Sequence, residues 1–281
     1  MVVRIWGCRG SLTTSGRDVV RYGGYTTCLE VRLRDGTVVI IDAGSGIHKL
    51  GKSLLAEVGL TDLYLLLTHS HWDHLTGFPF FGPAYLARFR IHVRGGPEAK
   101  QSLANYLRHQ MDPPYFPVEF DRLRAGFDFS TGDERELSIG PATIIPVPLS
   151  HPNGGYGYKI VEDGKAFVFL TDNEPRFPHP GCLQPEEYTA ISREADLLLH
   201  DAQYTDEEYA TTTRGWGHSS YTAAMDAAIA AGAKRFGTFH HDPDHADTEI
   251  DRSIALCKGI LKKKRLTLEC FAAAEGQTLT V

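Results

Sequence analysis

The sequence predicts an α/β fold in which two β-sheets pack together and helices cover their outer faces, an αββα sandwich. Short strand-like runs fall into two sets, one ending before residue 70 and the other beginning after residue 140. Helical segments accompany each set, as expected when every sheet has its own helical cover. No repeat or low-complexity linker divides the 281 residues, so we predict a single domain over residues 1–281.

The first set holds four predicted strands, at residues 2–6, 28–33, 37–41 and 63–67. The dipeptide Asp35-Gly36 is typical of a hairpin turn between the second and third strands. The sequence GSG at residues 44–46 opens a helix predicted over residues 47–57. The fourth strand is the continuous apolar run LYLLL, which indicates burial on both faces.

Residues 79–130 are rich in proline, glycine and aromatic side chains, and they contain one predicted helix at residues 98–109. We interpret them as a lid-like insertion that covers the fold and adds nothing to a sheet core. Its aromatic residues Tyr85, Tyr115 and Phe116 can either stack on a substrate or pack within the lid.

The second set holds seven predicted strands, at residues 142–147, 156–161, 166–170, 196–199, 234–239, 266–271 and 278–281. Three helices are predicted between them, at residues 185–194, Tyr221–Ala231 and 246–260. The middle helix is rich in alanine, with Ser219 or Ser220 as its N-cap and Gly232 at its end.

The composition argues against several classes of protein. A formal net charge of −6 is unlike proteins that bind long nucleic acids, which usually carry a basic stripe. The five cysteines are scattered without a CxxC pair, as in reduced cytoplasmic proteins. The chain start lacks a signal-peptide pattern and no apolar run is long enough to span a bilayer. We therefore expect a cytoplasmic protein without a membrane segment.

A dense group of metal-binding side chains follows the strand at residues 63–67. In the motif THSHWDHLTGFPFF, the donors His69, His71, Asp73 and His74 leave the strand end together. Imidazole nitrogens and carboxylate oxygens are the usual donors for zinc and similar divalent ions. Four donors in so short a loop exceed what one tetrahedral ion accepts, so the spacing predicts two adjacent ions.

The H-x-H-x-D-H spacing resembles the hallmark of the metallo-β-lactamase superfamily. That family takes its remaining ligands from later strand ends, and His151, Asp172 and His240 follow predicted strands in the expected order. The resemblance implies the αββα fold with mixed sheets. It also implies that one ion is held by His69, His71 and His151, the other by Asp73, His74 and His240, and that Asp172 bridges them.

Two assignments in this set have alternatives. His241 lies next to His240, which we prefer because it follows Phe239 directly at a strand end, as His69 follows its strand. Asp42 either holds a ligand imidazole in one tautomer or caps the helix that follows it. The donor set accepts two divalent ions, zinc first, with manganese or iron as alternatives.

A later stretch resembles the phosphodiesterase branch of the superfamily, which includes the tRNA 3′-processing nucleases and cyclic-nucleotide phosphodiesterases. There an acidic residue after a strand precedes a histidine that opens an alanine-rich helix; Asp201 and His218 take these places. The family usually has Glu and Thr where this chain has Asp201 and Ser220. Asp172 stands where the commonest lactamases place cysteine, and the stretch to His240 is too short for the extra domain of the long RNA-cutting enzymes.

The resemblance implies that His218 is a general acid and Asp201 its partner, with Asp73 also at the catalytic centre and His200 as a minor alternative. A leaving alkoxide needs such a proton donor. We therefore predict a phosphodiesterase for a small nucleotide-like substrate such as a cyclic nucleotide, with long nucleic acid not expected. Alternatives are a thioester or lactone hydrolase, a tRNA 3′-processing endonuclease, or a non-catalytic sensor. Members of this branch are often dimers, so a homodimer is a further expectation.

Overall fold

Two seven-stranded mixed β-sheets form the centre of the protein, which confirms the predicted fold class. The structure is a computed structural model that describes residues 1–96, 103–129 and 135–281. Sheet one consists of β1 (Val2–Gly7), β2 (Cys28–Arg32), β3 (Val38–Ile41), β4 (Asp62–Leu66), β5 (Arg90–Arg94), β6 (Gly126–Phe129) and β14 (Thr278–Thr280). Their order is β14-β1-β2-β3-β4-β5-β6, antiparallel up to β3 and parallel from β3 to β6.

Sheet two repeats this arrangement with the later strands. It consists of β7 (Leu137–Ile139), β8 (Ala142–Pro148), β9 (Tyr156–Glu162), β10 (Lys165–Leu170), β11 (Leu197–Asp201), β12 (Arg235–Phe239) and β13 (Glu269–Ala272). The order is β13-β12-β11-β10-β9-β8-β7, with β10 to β13 parallel and β7 to β10 antiparallel. In each sheet the parallel strands bring their carboxyl ends to one edge, where side chains from several strands can meet.

Helices cover the outer faces of both sheets. The α-helices of the described residues are α1 (Ile47–Leu55), α2 (Trp72–Leu75), α3 (Leu103–His109), α4 (Pro185–Ile191), α5 (Asp206–Glu208), α6 (Tyr221–Ala231) and α7 (Asp247–Lys263). α1 and α3 pack with the outer face of sheet one, while α4, α6 and α7 pack with that of sheet two. A third apolar cluster lies between the sheets and includes Ile5, Ile41, Phe167, Phe169 and Phe239. Within the described residues, no helix is long and apolar enough to cross a membrane.

The interpretation of residues 79–130 as a covering insertion is wrong for two of its parts. β5 and β6 are the last two strands of sheet one, and Ile91 and Val93 are fully buried in its core. The sequence RIHVR alternates polar and apolar residues, which is a strand signal. The surrounding proline- and glycine-rich composition led us to overlook it. The helix predicted at residues 98–109 is present as Leu103–His109, and residues 97–102 lie outside the described part.

A buried tyrosine joins the two sheets beside the loop that follows β4. Tyr158 on β9 is fully buried, and its hydroxyl donates a hydrogen bond to the carbonyl oxygen of Leu67 at 2.6 Å. Leu67 precedes Thr68 and His69 in the chain. This contact therefore fixes the end of β4, from which the histidine-rich loop departs, against the second sheet.

We predict that Tyr158→Phe lowers the free energy of unfolding by about 1–3 kcal/mol, because the buried Leu67 carbonyl loses its donor. Urea denaturation at neutral pH measures the change. The matched control is Tyr115→Phe at a residue that is 73% exposed, where a change below about 0.5 kcal/mol is expected. Equal stability of Tyr158→Phe and the parent protein would show that this contact contributes nothing.

Candidate metal centre

The candidate site lies where the carboxyl ends of strands from both sheets meet. Asp42 follows β3, Asp172 follows β10 and His240 follows β12. All three have left-handed backbone angles, with φ of 63°, 52° and 60°. This conformation is uncommon for residues other than glycine, and such strain tends to occur at functional sites. At each strand end the chain turns sharply so that the polar side chain points into the shared space.

One group of donors consists of His69, His71, His151 and Asp172, whose ligand atoms lie within 4.8 Å of one another. Nε2 of His151 is 3.1 Å from Nδ1 of His71. Oδ1 of Asp172 lies 3.7 Å from Nε2 of His69 and 3.9 Å from Nε2 of His151. These four residues can hold one divalent cation.

The second group consists of Asp73, His74, Asp172 and His240, with the same limit on separation. Nε2 of His240 is 3.0 Å from Oδ2 of Asp73, and Nε2 of His74 is 3.2 Å from Oδ2 of Asp172. Burial alone would lower the pKa of His74, but Asp73, Asp172 and Asp42 raise it well above its ordinary value. This position favours positive charge. Asp172 belongs to both groups: its Oδ1 lies near His69, His151 and His240, and its Oδ2 lies near His74.

The polar atoms of the two groups fit a cation as their partner. Among the described residues, Nε2 of His69, Nε2 of His74 and Oδ1 of Asp172 are buried without a hydrogen-bond partner. Each unpaired buried polar atom costs about 1–3 kcal/mol. Burial lowers the pKa of His151 to about 4 and that of His69 well below its ordinary value. Both imidazoles are therefore neutral near pH 7, which is the form that binds metals.

Asp42 orients two of the histidines. Nδ1 of His74 donates to Oδ2 of Asp42 at 2.7 Å, and Oδ2 also accepts the Thr68 hydroxyl at 2.8 Å. The Thr68 oxygen in turn accepts from Nδ1 of His69 at 3.0 Å. Both histidines therefore turn Nε2 toward the centre. The alternative role of Asp42 as a helix cap is wrong, because Gly46 occupies the N-cap of α1.

Two further histidines are oriented in the same way by groups that the sequence analysis missed. Nδ1 of His151 donates to the carbonyl oxygen of Gly217 at 3.0 Å, and Nδ1 of His240 donates to Oε1 of Gln203 at 2.9 Å. Such contacts select the tautomer whose other nitrogen binds metal. Gly217 has φ of 94°, and a Cβ there would lie 2.1 Å from the His151 ring. The contact with the Gly217 carbonyl had no sequence signal, because no motif identifies a backbone carbonyl. Gln203 had a weak one, because it lies two residues after the strand end that carries Asp201.

Asp201 and His218 form a close pair beside the metal-binding groups. Nδ1 of His218 donates to Oδ2 of Asp201 at 2.6 Å, and the His218 ring stacks on His240 at 4.9 Å. The other carboxylate oxygen of Asp201 accepts the backbone amide of Ser219 at 3.0 Å. Burial alone would lower the pKa of His218, but Asp201 above all raises it to about 9.

Glu174 holds the loop that carries His218. This residue follows Asp172 by two positions and is 1% exposed. Its carboxylate accepts the backbone amides of Gly215 at 2.8 Å and Gly217 at 2.7 Å. Asp172, which belongs to both donor groups, and the candidate proton donor are therefore anchored by the same short segment after β10. The position of Glu174, two residues after a predicted ligand, was a usable sequence signal. Its partners lie about 40 residues later in the chain, so the sequence did not reveal these contacts.

Two alternative histidines point away from the site. Nε2 of His241 donates to the carbonyl oxygen of Ala273, and burial lowers its pKa to about 3. His200 donates from Nδ1 to the carbonyl oxygen of Asp201, and its Nε2 faces Asn173. The structure thus brings His240, and neither His241 nor His200, into the donor groups.

The three aromatic residues predicted as a substrate lid do not line the space beside the donors. Tyr85 donates its hydroxyl to the carbonyl oxygen of Pro79, and Phe116 packs edge-on against Phe80. Tyr115 is exposed to solvent. Tyr85 and Phe116 instead pack against the outer core of sheet one. Both rings therefore pack against apolar neighbours of the fold. Aromatic composition alone did not distinguish such packing from contact with a substrate.

A different aromatic residue of the same segment lines the site. Tyr106 on α3 forms one wall of a cavity of about 340 Å³, and His69 lies in another wall. The opposite side comes from the backbone of Gly154 and Gly155, just after His151. A volume of this size suits a small-molecule substrate.

Comparisons with known proteins agree with this geometry. The family model described as "Beta-lactamase superfamily domain" matches residues 37–241. Ribonuclease Z of Haloferax volcanii is 26% identical over 88% of this chain and 87% of its own length. The metallo-β-lactamase fold protein YhfI of Bacillus subtilis superposes with a TM-score of 0.70 at 17% identity, over 99% of each chain. A diphosphatase of the PhnP family gives 0.68 at 18% identity, over 100% of this chain and 97% of its own.

The family match covers well over half of the chain and includes every residue of the two donor groups. The structural matches extend over essentially the whole chain. The ribonuclease Z relative also spans most of it. The chain therefore belongs to the beta-lactamase superfamily, as a metallo-β-lactamase-fold hydrolase.

Proposed function

We propose that this protein is a dinuclear metal-dependent phosphodiesterase that cleaves a small nucleotide-like phosphodiester. The observation that carries the proposal is the Asp201–His218 pair, joined at 2.6 Å and placed against the second donor group. A thiolate leaves a thioester without being protonated, whereas an alkoxide that leaves phosphorus gains greatly from an added proton donor. A lactone also releases an alkoxide, so lactones are included in the substrate test.

Each residue has a distinct task in this proposal. Burial alone would lower the pKa of His218, but Asp201 raises it to about 9, so that His218 is protonated near neutral pH. His218 then donates its proton to the oxygen that leaves the phosphorus. Asp201 fixes the ring through Nδ1 and is itself held by the backbone amide of Ser219. The proton donor is thus charged and immobile before substrate arrives.

The metal ions are assigned from the donor chemistry. His69, His71 and His151 would hold one ion, Asp73, His74 and His240 the other, with Asp172 between them. Two divalent ions in these places supply a water of lowered pKa and offset negative charge on the phosphodiester. Zinc suits this mixture of imidazole and carboxylate, with manganese or iron as the alternatives to distinguish.

A small substrate is favoured by the size of the cavity and by the state of nearby arginines. Arg94 pairs with Asp128, and Arg108 pairs with Asp121. Both arginines belong to the segment at residues 79–130 that would have to grip a tRNA. Since these two cations already have carboxylate partners, they offer less attraction to a phosphate backbone than unpaired arginines would. Cleavage of precursor tRNA would instead favour a ribonuclease activity, as in the name of the ribonuclease Z relatives.

A substrate panel tests the proposed function. The purified protein, loaded separately with zinc, manganese or iron, is assayed with bis(p-nitrophenyl) phosphate, cyclic and linear nucleotides, a thioester, a lactone and a precursor tRNA. Turnover of the small diesters is expected. Thioester or lactone cleavage without diester cleavage would contradict the proposal, and so would a preference for the tRNA.

The donor assignment predicts that His69→Ala reduces bound metal by about half or more, because one group loses a ligand. Mass spectrometry of the metal content after dialysis measures the loss. His48→Ala, at an exposed histidine outside the donor groups, is the matched control and should retain full metal. Unchanged metal content in His69→Ala would rule out this assignment.

The proton-donor role predicts a loss that depends on the leaving group. His218→Ala should slow cleavage of a diester with an alkoxide leaving group by about 10²–10⁴-fold, the usual contribution of a general acid. Esters of p-nitrophenol should lose far less, since that leaving group departs without a proton. The ratio of the two losses in kcat is the measurement. Equal losses on both substrates would mean that His218 does not donate the proton.

The pairing of His218 with Asp201 predicts a shift in the pH profile. A general acid works only while protonated, so kcat for an alkoxide leaving group should fall as pH rises through the pKa of His218. Asp201→Asn removes the charge that raises this pKa, and the alkaline decline should move to lower pH. His218→Ala, which lacks the group, should abolish this decline. An unmoved decline in Asp201→Asn would assign it to another residue.

A further inference from the structure

An exposed tryptophan stands inside the metal-binding loop. Trp72 begins α2, directly between His71 and Asp73, and 65% of its surface is accessible to solvent. Its neighbours in the chain supply candidate ligands, and Asp73 and His74 are buried. An indole left largely in water forgoes much of its burial free energy, so its exposed position calls for an explanation other than packing.

Trp72 lines a cavity that adjoins the one beside His69. The cavity has a volume of about 630 Å³, and its walls include Trp72, Leu75 and Tyr106. It shares Ser70 and Tyr106 with the cavity of about 340 Å³ that reaches His69. A group attached to a phosphorus atom at the donors can therefore extend across Tyr106 to the indole of Trp72.

The charges in this wall favour a neutral planar group. Of the described lining residues, the cation Arg108 pairs with Asp121, and Nδ1 of His109 donates to Asp112 at 2.8 Å. A second phosphate would thus meet no unpaired cation there. Gln110 also lines the wall. Its amide can form hydrogen bonds with the polar edge of a nucleobase, whereas an alkyl chain in the same place would bury the amide without a partner and cost free energy.

We propose that Trp72 and Tyr106 form a stacking subsite for the nucleobase of the substrate whose diester is cleaved at the metal centre. This inference rests on the proposed function and deepens it, because it names the group attached to the phosphorus. Stacking of a base on an aromatic side chain contributes about 1–3 kcal/mol and tolerates different bases. The subsite therefore selects nucleoside esters over simple alkyl esters, with broad tolerance for the base.

Two esters with the same leaving group test the subsite. Thymidine 5′-(p-nitrophenyl phosphate) carries a base, and methyl p-nitrophenyl phosphate does not. Trp72→Ala should lower kcat/KM for the thymidine ester by about 5- to 100-fold, in line with the loss of one stacked base. Its loss on the methyl ester should be several-fold smaller, because that substrate has no base to stack. Trp72→Phe, which retains a ring, should keep most of the preference for the thymidine ester.

Tyr115→Ala is the matched control, because Tyr115 is 73% exposed but does not line the cavity, and both of its rates should stay unchanged. Equal losses of Trp72→Ala on both esters would show that Trp72 supports the metal loop and not a base. Equal activity of Trp72→Ala and the parent protein on the thymidine ester would also overturn the subsite.

Binding of thymidine 5′-monophosphate, measured by calorimetry, separates the subsite from the proposed function. If the parent protein cleaves neither ester but binds the nucleotide and Trp72→Ala does not, the phosphodiesterase function fails while the subsite stands. Absence of binding by a parent protein that cleaves neither ester overturns both, and equal binding by the parent and Trp72→Ala overturns the subsite.

Discussion

The site depends on the burial of one carboxylate, Asp172, where the two sheets meet. Its residue is 1% exposed, and a carboxylate in such a place is costly unless charge or hydrogen bonds compensate it. Burial would raise its pKa, but the imidazoles of His240 and His74 above all hold it well below its ordinary range. His74 lies in the segment after β4 of sheet one, and His240 follows β12 of sheet two. The donor groups are therefore complete only when the two sheets are packed together.

The sequence predicted the parts of this arrangement that sit in short chain segments. The dense group of donors after a predicted strand identified His69, His71, Asp73 and His74 directly, and the resemblance to the superfamily added Asp172 and His240 at later strand ends. The two sets of strand-like runs indicated two sheets. β5 was overlooked because its five residues are embedded in proline- and glycine-rich sequence, although alternation in RIHVR was a usable signal.

Contacts between distant segments could not be predicted in the same way. Glu174 holds the backbone of Gly215 and Gly217, and a backbone amide leaves no trace in the sequence. Tyr106 reaches the site only because β5 and β6 belong to sheet one and set the position of α3 between them. Tyr85 and Phe116 are also aromatic, but they pack against the outer core of sheet one. Residue type gave the chemistry, and three-dimensional placement decided which residue performs it.

The two anchors on either side of residues 204–214 have an evolutionary consequence. Asp201 accepts the backbone amides of Gln203 and Ser219, and Glu174 accepts those of Gly215 and Gly217. Within this stretch Tyr204 packs against His218 and Tyr209 donates to Glu174, whereas residues 210–212 are exposed. Residues 210–212 can therefore change while His218 keeps its place, so related chains can diversify these positions without first losing activity.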